Sequence, residues 1–179
     1  MHTGGEDKMM KIVLVGPPGS GKSTVGKIIA NECGLSYISS GDISRSLNTP
    51  IGRMADESAM RRQIKSAIDN HSPNGFVLDG FPRTIEQAIL LSHWVGKCDI
   101  FCLVVNSDVS ISRLSDRGRA DDSIDIILHR LNDYYTDTHR IVELALRGFL
   151  NYNIIVRHAS TSESMAKSIV NLCNVYGGI

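Results

Sequence analysis

Four short stretches of this chain carry residues whose types and spacing could do chemistry. Residues 16–24, GPPGSGKST, set Gly16, Gly21, Lys22 and Ser23 at the spacing GxxxxGK[ST]. Glycines let the N–H groups of such a loop turn inward onto phosphate oxygens, and the lysine neutralises their charge. A hydroxyl after the lysine is a hard ligand suited to Mg²⁺. Residues 39–45, SSGDISR, and 75–84, GFVLDGFPRT, add Asp42, Arg45, Asp79 and Arg83. Residues 113–122, RLSDRGRADD, bring Arg113, Arg117 and Arg119 together just before two aspartates. Arginine stays charged and forks onto phosphate oxygens, so these cations suit a strongly anionic ligand.

The elements that must position these residues follow from the apolar pattern. KIVLV (11–15) is a continuous β-branched run, as in a strand buried on both faces, and it leads directly into the glycine loop. Val25, Ile28, Ile29 and Glu32 then recur at helical spacing over 21–33. Further strands are expected at 37–39, 75–79, 100–106 and 152–156. Helices are expected at 84–94, 107–117, 122–147 and 162–175, with another ending near Asn70. The longest would carry Ile124, Ile127, Leu128, Leu131, Tyr134, Thr138, Ile141, Val142 and Ala145 on one stripe. Buried strands alternating with helices mean an α/β sandwich around a parallel sheet, with ligands beyond the C-terminal strand ends.

Strand, glycine loop and helix in that order make a phosphate-binding loop (P-loop), with the helix N-terminus adding its positive dipole end. Gly19, Ser20, Gly21, Lys22, Ser23 and Thr24 are its expected ATP contacts, with Ser23 on the metal. This loop alone does not separate motors, switches, transporters and kinases.

Bulk properties exclude several classes. The 179 residues suit one well-buried core, and 19 basic residues balance 19 acidic ones, for a formal net charge of zero. That balance argues against a nucleic-acid or anionic-membrane binder held by long-range attraction. No apolar run is long enough to span a bilayer. Cys33, Cys98, Cys102 and Cys173 lack metal-site spacing, and the six histidines form no ligand motif. Free buried thiols in a reduced, cytoplasmic protein are expected, with no structural zinc. Residues 1–9 are expected to be a disordered or vector-derived leader ahead of one domain over 10–179.

The P-loop, SSGDISR, GFVLDGFPRT, RLSDRGRADD and RLNDYY (130–135) together resemble the nucleoside monophosphate kinases, adenylate kinase most closely, from about residue 11 to the C-terminus. The resemblance implies a three-layer P-loop NTPase fold with a five-stranded parallel sheet in the order 2-3-1-4-5. It implies reversible phosphoryl transfer from Mg-ATP to a nucleoside monophosphate, most closely AMP, in a protein expected to be monomeric. A UMP/CMP or deoxynucleotide kinase, or a nucleotide-dependent regulatory or assembly protein on the same fold, are the alternatives.

By the same resemblance, Ser40, Arg45, Gly80, Phe81, Pro82, Arg83, Arg119 and Arg130 would hold the monophosphate and Gln87 would read its base. Lys22, Arg83, Arg117, Arg119 and Arg130 would act in transfer, with Arg117 also on ATP. Asp79 would orient Mg²⁺ through water. Other roles stand beside these: Arg130 could snorkel, Asp42 could cap a helix, Asp121 and Asp122 would orient the arginines or cap the long helix, and Thr84-x-x-Gln87 fits a capping box.

Two departures from the family pattern stand out. Residues 46–73 form a shortened monophosphate-binding region in which Arg53, Arg61 and Arg62 are expected on a solvated face. Only Gly118 separates Arg117 from Arg119, so residues 117–122 make a minimal lid with Gly118 as its expected hinge.

Overall fold

The computed structural model describes residues 9–47, 56–119, 122–148, 150, 152–158 and 161–176. The leader up to residue 8, Arg53 and Asp121 lie outside them. Five strands form one parallel sheet: β1 (Met10–Val15), β2 (Ser36–Ser39), β3 (Gly75–Asp79), β4 (Cys98–Val104) and β5 (Tyr152–His158). Their order is β2-β3-β1-β4-β5, as the resemblance implies. The helices are α1 (Lys22–Cys33), α2 (Ser40–Ser46), α3 (Glu57–Asp69), α4 (Ile85–Val95), α5 (Ser107–Arg117), α6 (Ile124–Asp133), α7 (His139–Leu146) and α8 (Ser162–Tyr176).

Period-two alternation divides the central strands between two apolar layers. Val13, Val15, Phe76, Leu78, Ile100 and Cys102 face the layer that Ile64, Ile68, Leu91, Ile141 and Val142 complete. Ile12, Leu14, Val77, Phe101 and Leu103 face the opposite layer, built with Val25, Ile29, Ala166 and Ile169. Fully burying each such side chain contributes about 1.5–3 kcal/mol, so strand-level patterning fixes the sandwich. The strand order reverses at β1, whose neighbours are β3 and β4. A crevice opens at such a point beyond the C-terminal strand ends, where the P-loop and the DGFPR turn begin.

Several expectations change. The helix expected at 122–147 is interrupted: Tyr134–Thr138 forms a π-helical turn between α6 and α7. A π turn holds more residues than an α turn and rotates the stripe that follows it. Ile127, Leu131, Tyr134, Thr138, Ile141, Val142 and Ala145 are buried, whereas Ile124 and Leu128 are about half exposed, at 52% and 50%. Neither joins the small cluster of Leu114, Ile127, Leu131 and Ile111 by which α6 packs on α5. Glu32 is exposed, and Gly26 and Ala30 take the inward positions expected of it in α1. β4 runs from Cys98 to Val104, two residues earlier than expected. Cys98, Cys102 and Cys173 are buried free thiols and Cys33 is half-buried and free.

Candidate active site

The P-loop connects β1 to α1. Gly19 has φ +79°, in the left-handed region, and a Cβ there would stand 2.7 Å from the Ser110 carbonyl oxygen. The position therefore needs glycine both for its backbone angle and for the close approach of α5. No side chain caps α1, so its first N–H groups remain available to an anion. Lys22 Nζ folds back over the loop, donating to the Gly16 and Pro17 carbonyls at 2.8 Å each and to Ser20 Oγ at 3.3 Å. Ser20 is buried, and Thr24 is exposed in the first turn of α1.

Lys22 is also where positive charge converges. Burial first, opposed by Asp79 and reinforced by Arg83 and Arg130, lowers its pKa from 10.5 to about 8. Desolvation and then Arg130 likewise pull the Arg83 guanidinium below its ordinary value. Its side chain nevertheless opens to solvent, and arginine remains charged throughout. Three cations within Coulombic reach of one another, with Asp79 and Asp122 beside them, suit a multiply charged anion.

The DGFPR turn is held at several points. Arg83 Nε donates to the Gly80 carbonyl at 2.9 Å, and the Arg83 N–H donates to Gln87 Oε1 at 2.8 Å. The Arg83 carbonyl accepts from Thr138 Oγ1 at 3.0 Å, so the π turn is what brings the α6–α7 unit onto this arginine. Ser40 is buried and donates to the Gly80 carbonyl at 2.7 Å. Phe81 and Pro82 are buried, and Phe81 stacks on Trp94 with ring centroids 6.0 Å apart. Phe81 therefore anchors the turn in the core. Gln87 is the third residue of α4: its N–H donates to the Thr84 cap, and Nε2 donates to Glu57 Oε1 at 3.4 Å.

Asp79 is buried at the end of β3, and its Oδ2 accepts two hydrogen bonds of 2.7 Å, from Ser23 Oγ and from Tyr37 Oη. A hydroxyl beside a carboxylate at the foot of a phosphate loop is a hard-oxygen pair of the kind Mg²⁺ uses alongside water and substrate phosphates. The donor set therefore fits that ion. Among the described residues no group of three or more His, Cys, Asp or Glu could hold a metal without such help.

Asp122 joins two arginines. Its carboxylate accepts from Arg117 Nε at 2.7 Å, from Arg117 Nη2 at 2.5 Å and from Arg130 Nη1 at 3.4 Å. The Asp122 side chain is only 2% exposed. Burial alone would raise its pKa; the bonds and charge of Arg117, with Arg130 behind them, hold it below 3.8. Asp122 therefore does not cap the long helix: Ser123 precedes α6, and no side chain caps it. Asp42 does not cap either, because Ser39 accepts its N–H at the start of α2.

The remaining arginines are less converged. Arg113 Nη1 approaches the Gly19 carbonyl at 3.4 Å, tying α5 to the loop. Arg119 is exposed. Arg45 is half exposed and pairs with Asp42, three residues back on the same short helix. On α3, Arg62 is exposed as expected, whereas half-buried Arg61 pairs with Glu57, which Gln87 also reaches. Gly118 ends α5 in the left-handed conformation at φ +66°, which gives it a helix-terminating role. Tyr37, Thr138 and Glu57 are the site neighbours that sequence reasoning missed, because only strand register and helix packing bring them there.

The buried cysteines offer no competing chemistry. Desolvation pushes the Cys98 and Cys173 thiols up to about 12 and raises Cys102 as well, so all three stay neutral.

Comparison with known proteins agrees with this geometry. The family model for adenylate kinase matches residues 14–145. The adenylate kinase of Nocardia farcinica is 35% identical over 153 residues, covering 75% of this chain and 84% of its own length. That of Rhodococcus erythropolis is 34% identical over 72% of this chain and 82% of its own, and that of Corynebacterium glutamicum 33% over 75% and 84%. A family match that takes in the P-loop, the DGFPR turn and the arginine clamp together shows that this chain belongs to the adenylate kinase family.

Proposed function

We infer that this protein transfers a phosphoryl group reversibly from Mg-ATP to AMP, giving two ADP. The observation that carries the reading is the convergence of Lys22, Arg83 and Arg130 beside the P-loop, with Arg117 tied to Arg130 through Asp122. Two nucleotides meeting phosphate to phosphate supply concentrated negative charge that suits this arrangement. Phosphoryl transfer asks little covalent work of a protein, so positioning and charge neutralisation make up the catalysis.

In this reading the N–H groups of Gly19 to Thr24 cradle the ATP phosphates, and Lys22 leaves its loop carbonyls for the β- and γ-phosphates. Arg45 and Arg83 hold the monophosphate, with Ser40, Gly80 and Pro82 shaping the turn beneath it. Arg117, Arg119 and Arg130 follow charge onto the transferring group, and Arg113 steadies the loop. Gln87 Nε2 exchanges Glu57 for the adenine edge. Ser23 and Asp79 would hold Mg²⁺, partly through water, and the ion neutralises and aligns the phosphates when bound. The acceptor phosphate is already an anion, so no residue acts as a strong base.

Residues 10–179 are one kinase domain, with a trimmed monophosphate-binding region at 46–73 and a minimal lid at 117–122. Water exclusion then falls to the arginines themselves. The protein works as a cytoplasmic monomer without nucleic-acid or membrane partners; among the described residues no helix is long and apolar enough to cross a membrane.

A coupled assay with AMP, UMP, CMP, GMP and dTMP tests the reading. AMP is expected to be strongly preferred. ATP binding without phosphorylation of any of the five would overturn it.

A further inference from the structure

We propose that Tyr37 is a positioning residue for Asp79, its phenol fixing the carboxylate that, with Ser23, receives the magnesium ion accompanying ATP. The proposal rests on the reading of that pair given above. Parallel pairing of β2 with β3 sets Ser39 opposite Asp79 and Tyr37 opposite Val77. Tyr37 thus lies one pleat back on the same face, within diagonal reach of Asp79. Its hydroxyl donates to Asp79 Oδ2 at 2.7 Å, the same oxygen that accepts from Ser23.

The ring itself is held. Gly26 faces it from α1, and a Cβ at that position would stand 2.8 Å from Tyr37 Cε2. Lys27 Nζ lies 5.8 Å from the ring centroid. A phenol on two torsions, packed against a glycine, delivers its donor to one place. The register fixes the Asp79 backbone but leaves its side-chain torsions free. Among the described residues the only other donor to that carboxylate is Ser23, whose hydroxyl oxygen is itself expected on the metal. Tyr37 is the anchor that does not depend on the ion. With Oδ2 doubly engaged, Oδ1 is left for the hydration shell of the cation.

The test is Tyr37→Phe, which keeps the ring and removes the donor. Mn²⁺ uptake by the complex with a non-hydrolysable ATP analogue, read by electron paramagnetic resonance, is expected to weaken about tenfold, the size of one charge-assisted hydrogen bond. Metal-free analogue binding is expected to change less than about twofold. The Mg²⁺ concentration giving half-maximal activity should rise with the Mn²⁺ effect, while kcat at saturating Mg²⁺ recovers. Gly26→Ala, whose Cβ would press on the ring and on Leu14, should shift Mn²⁺ uptake in the same direction. Unchanged Mn²⁺ uptake in Tyr37→Phe would overturn the proposal, as would an equal loss of metal-free analogue binding. Neither outcome depends on phosphoryl transfer, so failure of the kinase reading would be seen separately.

Discussion

Lys22 carries a pKa near 8 because burial, Arg83 and Arg130 all oppose its charge and outweigh the support of Asp79 and, to a smaller extent, Cys102. Between about pH 8 and 10.5 the unfolded chain binds more protons at this group than the folded one, so its contribution to stability rises with pH across that window. Below pH 8 it is charged in both states and the full desolvation penalty stands. Phosphate oxygens would reverse the balance and restore the proton. Binding of a non-hydrolysable ATP analogue at pH 8.5 is therefore expected to take up protons. Calorimetry in buffers of different ionisation enthalpy measures that uptake, and Lys22→Met should abolish it. The same variant should lose about 100- to 1,000-fold in kcat, as for removal of one preorganised donor to developing charge. Asp122→Asn tests the clamp. Freed from a single carboxylate, Arg117 and Arg130 should lower kcat about tenfold while ATP affinity stays within about threefold.

At the scale of elements, the α6–π–α7 run decides how Arg130 and Arg83 meet. The π turn lets Thr138 reach the Arg83 carbonyl while Ile127 and Ile141 both remain fully buried. An uninterrupted α-helix over the same residues would rotate one of those contacts out of place. The stripe legible in sequence counted Ile124 and Leu128 as core because periodicity does not register where neighbouring helices end. Leu128→Lys is accordingly expected to change unfolding free energy by less than about 0.5 kcal/mol, and Ile127→Ala to cost about 2–4 kcal/mol in urea denaturation. A Leu128 variant as damaging as the Ile127 one would contradict the exposure of this face.

Across the whole molecule, the short connection from α5 to α6 is expected to set how well the reaction is shielded. Gly118 closes α5, and α6 begins at Ile124, so few residues are available to cover the transferring phosphate. Slow ATP hydrolysis without AMP is the expected consequence, read as phosphate release. A rate no higher than solution background would mean that the arginines alone exclude water.

The sequence by itself determined the sheet and the loop. Continuous β-branched runs specify strands buried on both faces, and glycine, lysine and hydroxyl at fixed spacing specify a phosphate cradle; both are local facts of chain chemistry. It also marked Lys22 by the loop motif and Asp79 by its strand end, and Arg83, Arg117 and Arg130 by motifs that resemble the nucleoside monophosphate kinases. Tertiary structure decided which of them meet. From its neighbours Asp122 could either cap a helix or orient the arginines; it bridges two of them because α5 and α6 pack side by side. Tyr37 has no distinguishing spacing in SYIS and reaches Asp79 only through parallel register. Hydrogen bonds between strands and helices far apart in sequence leave no period in the chain, so only the packed molecule could assign them.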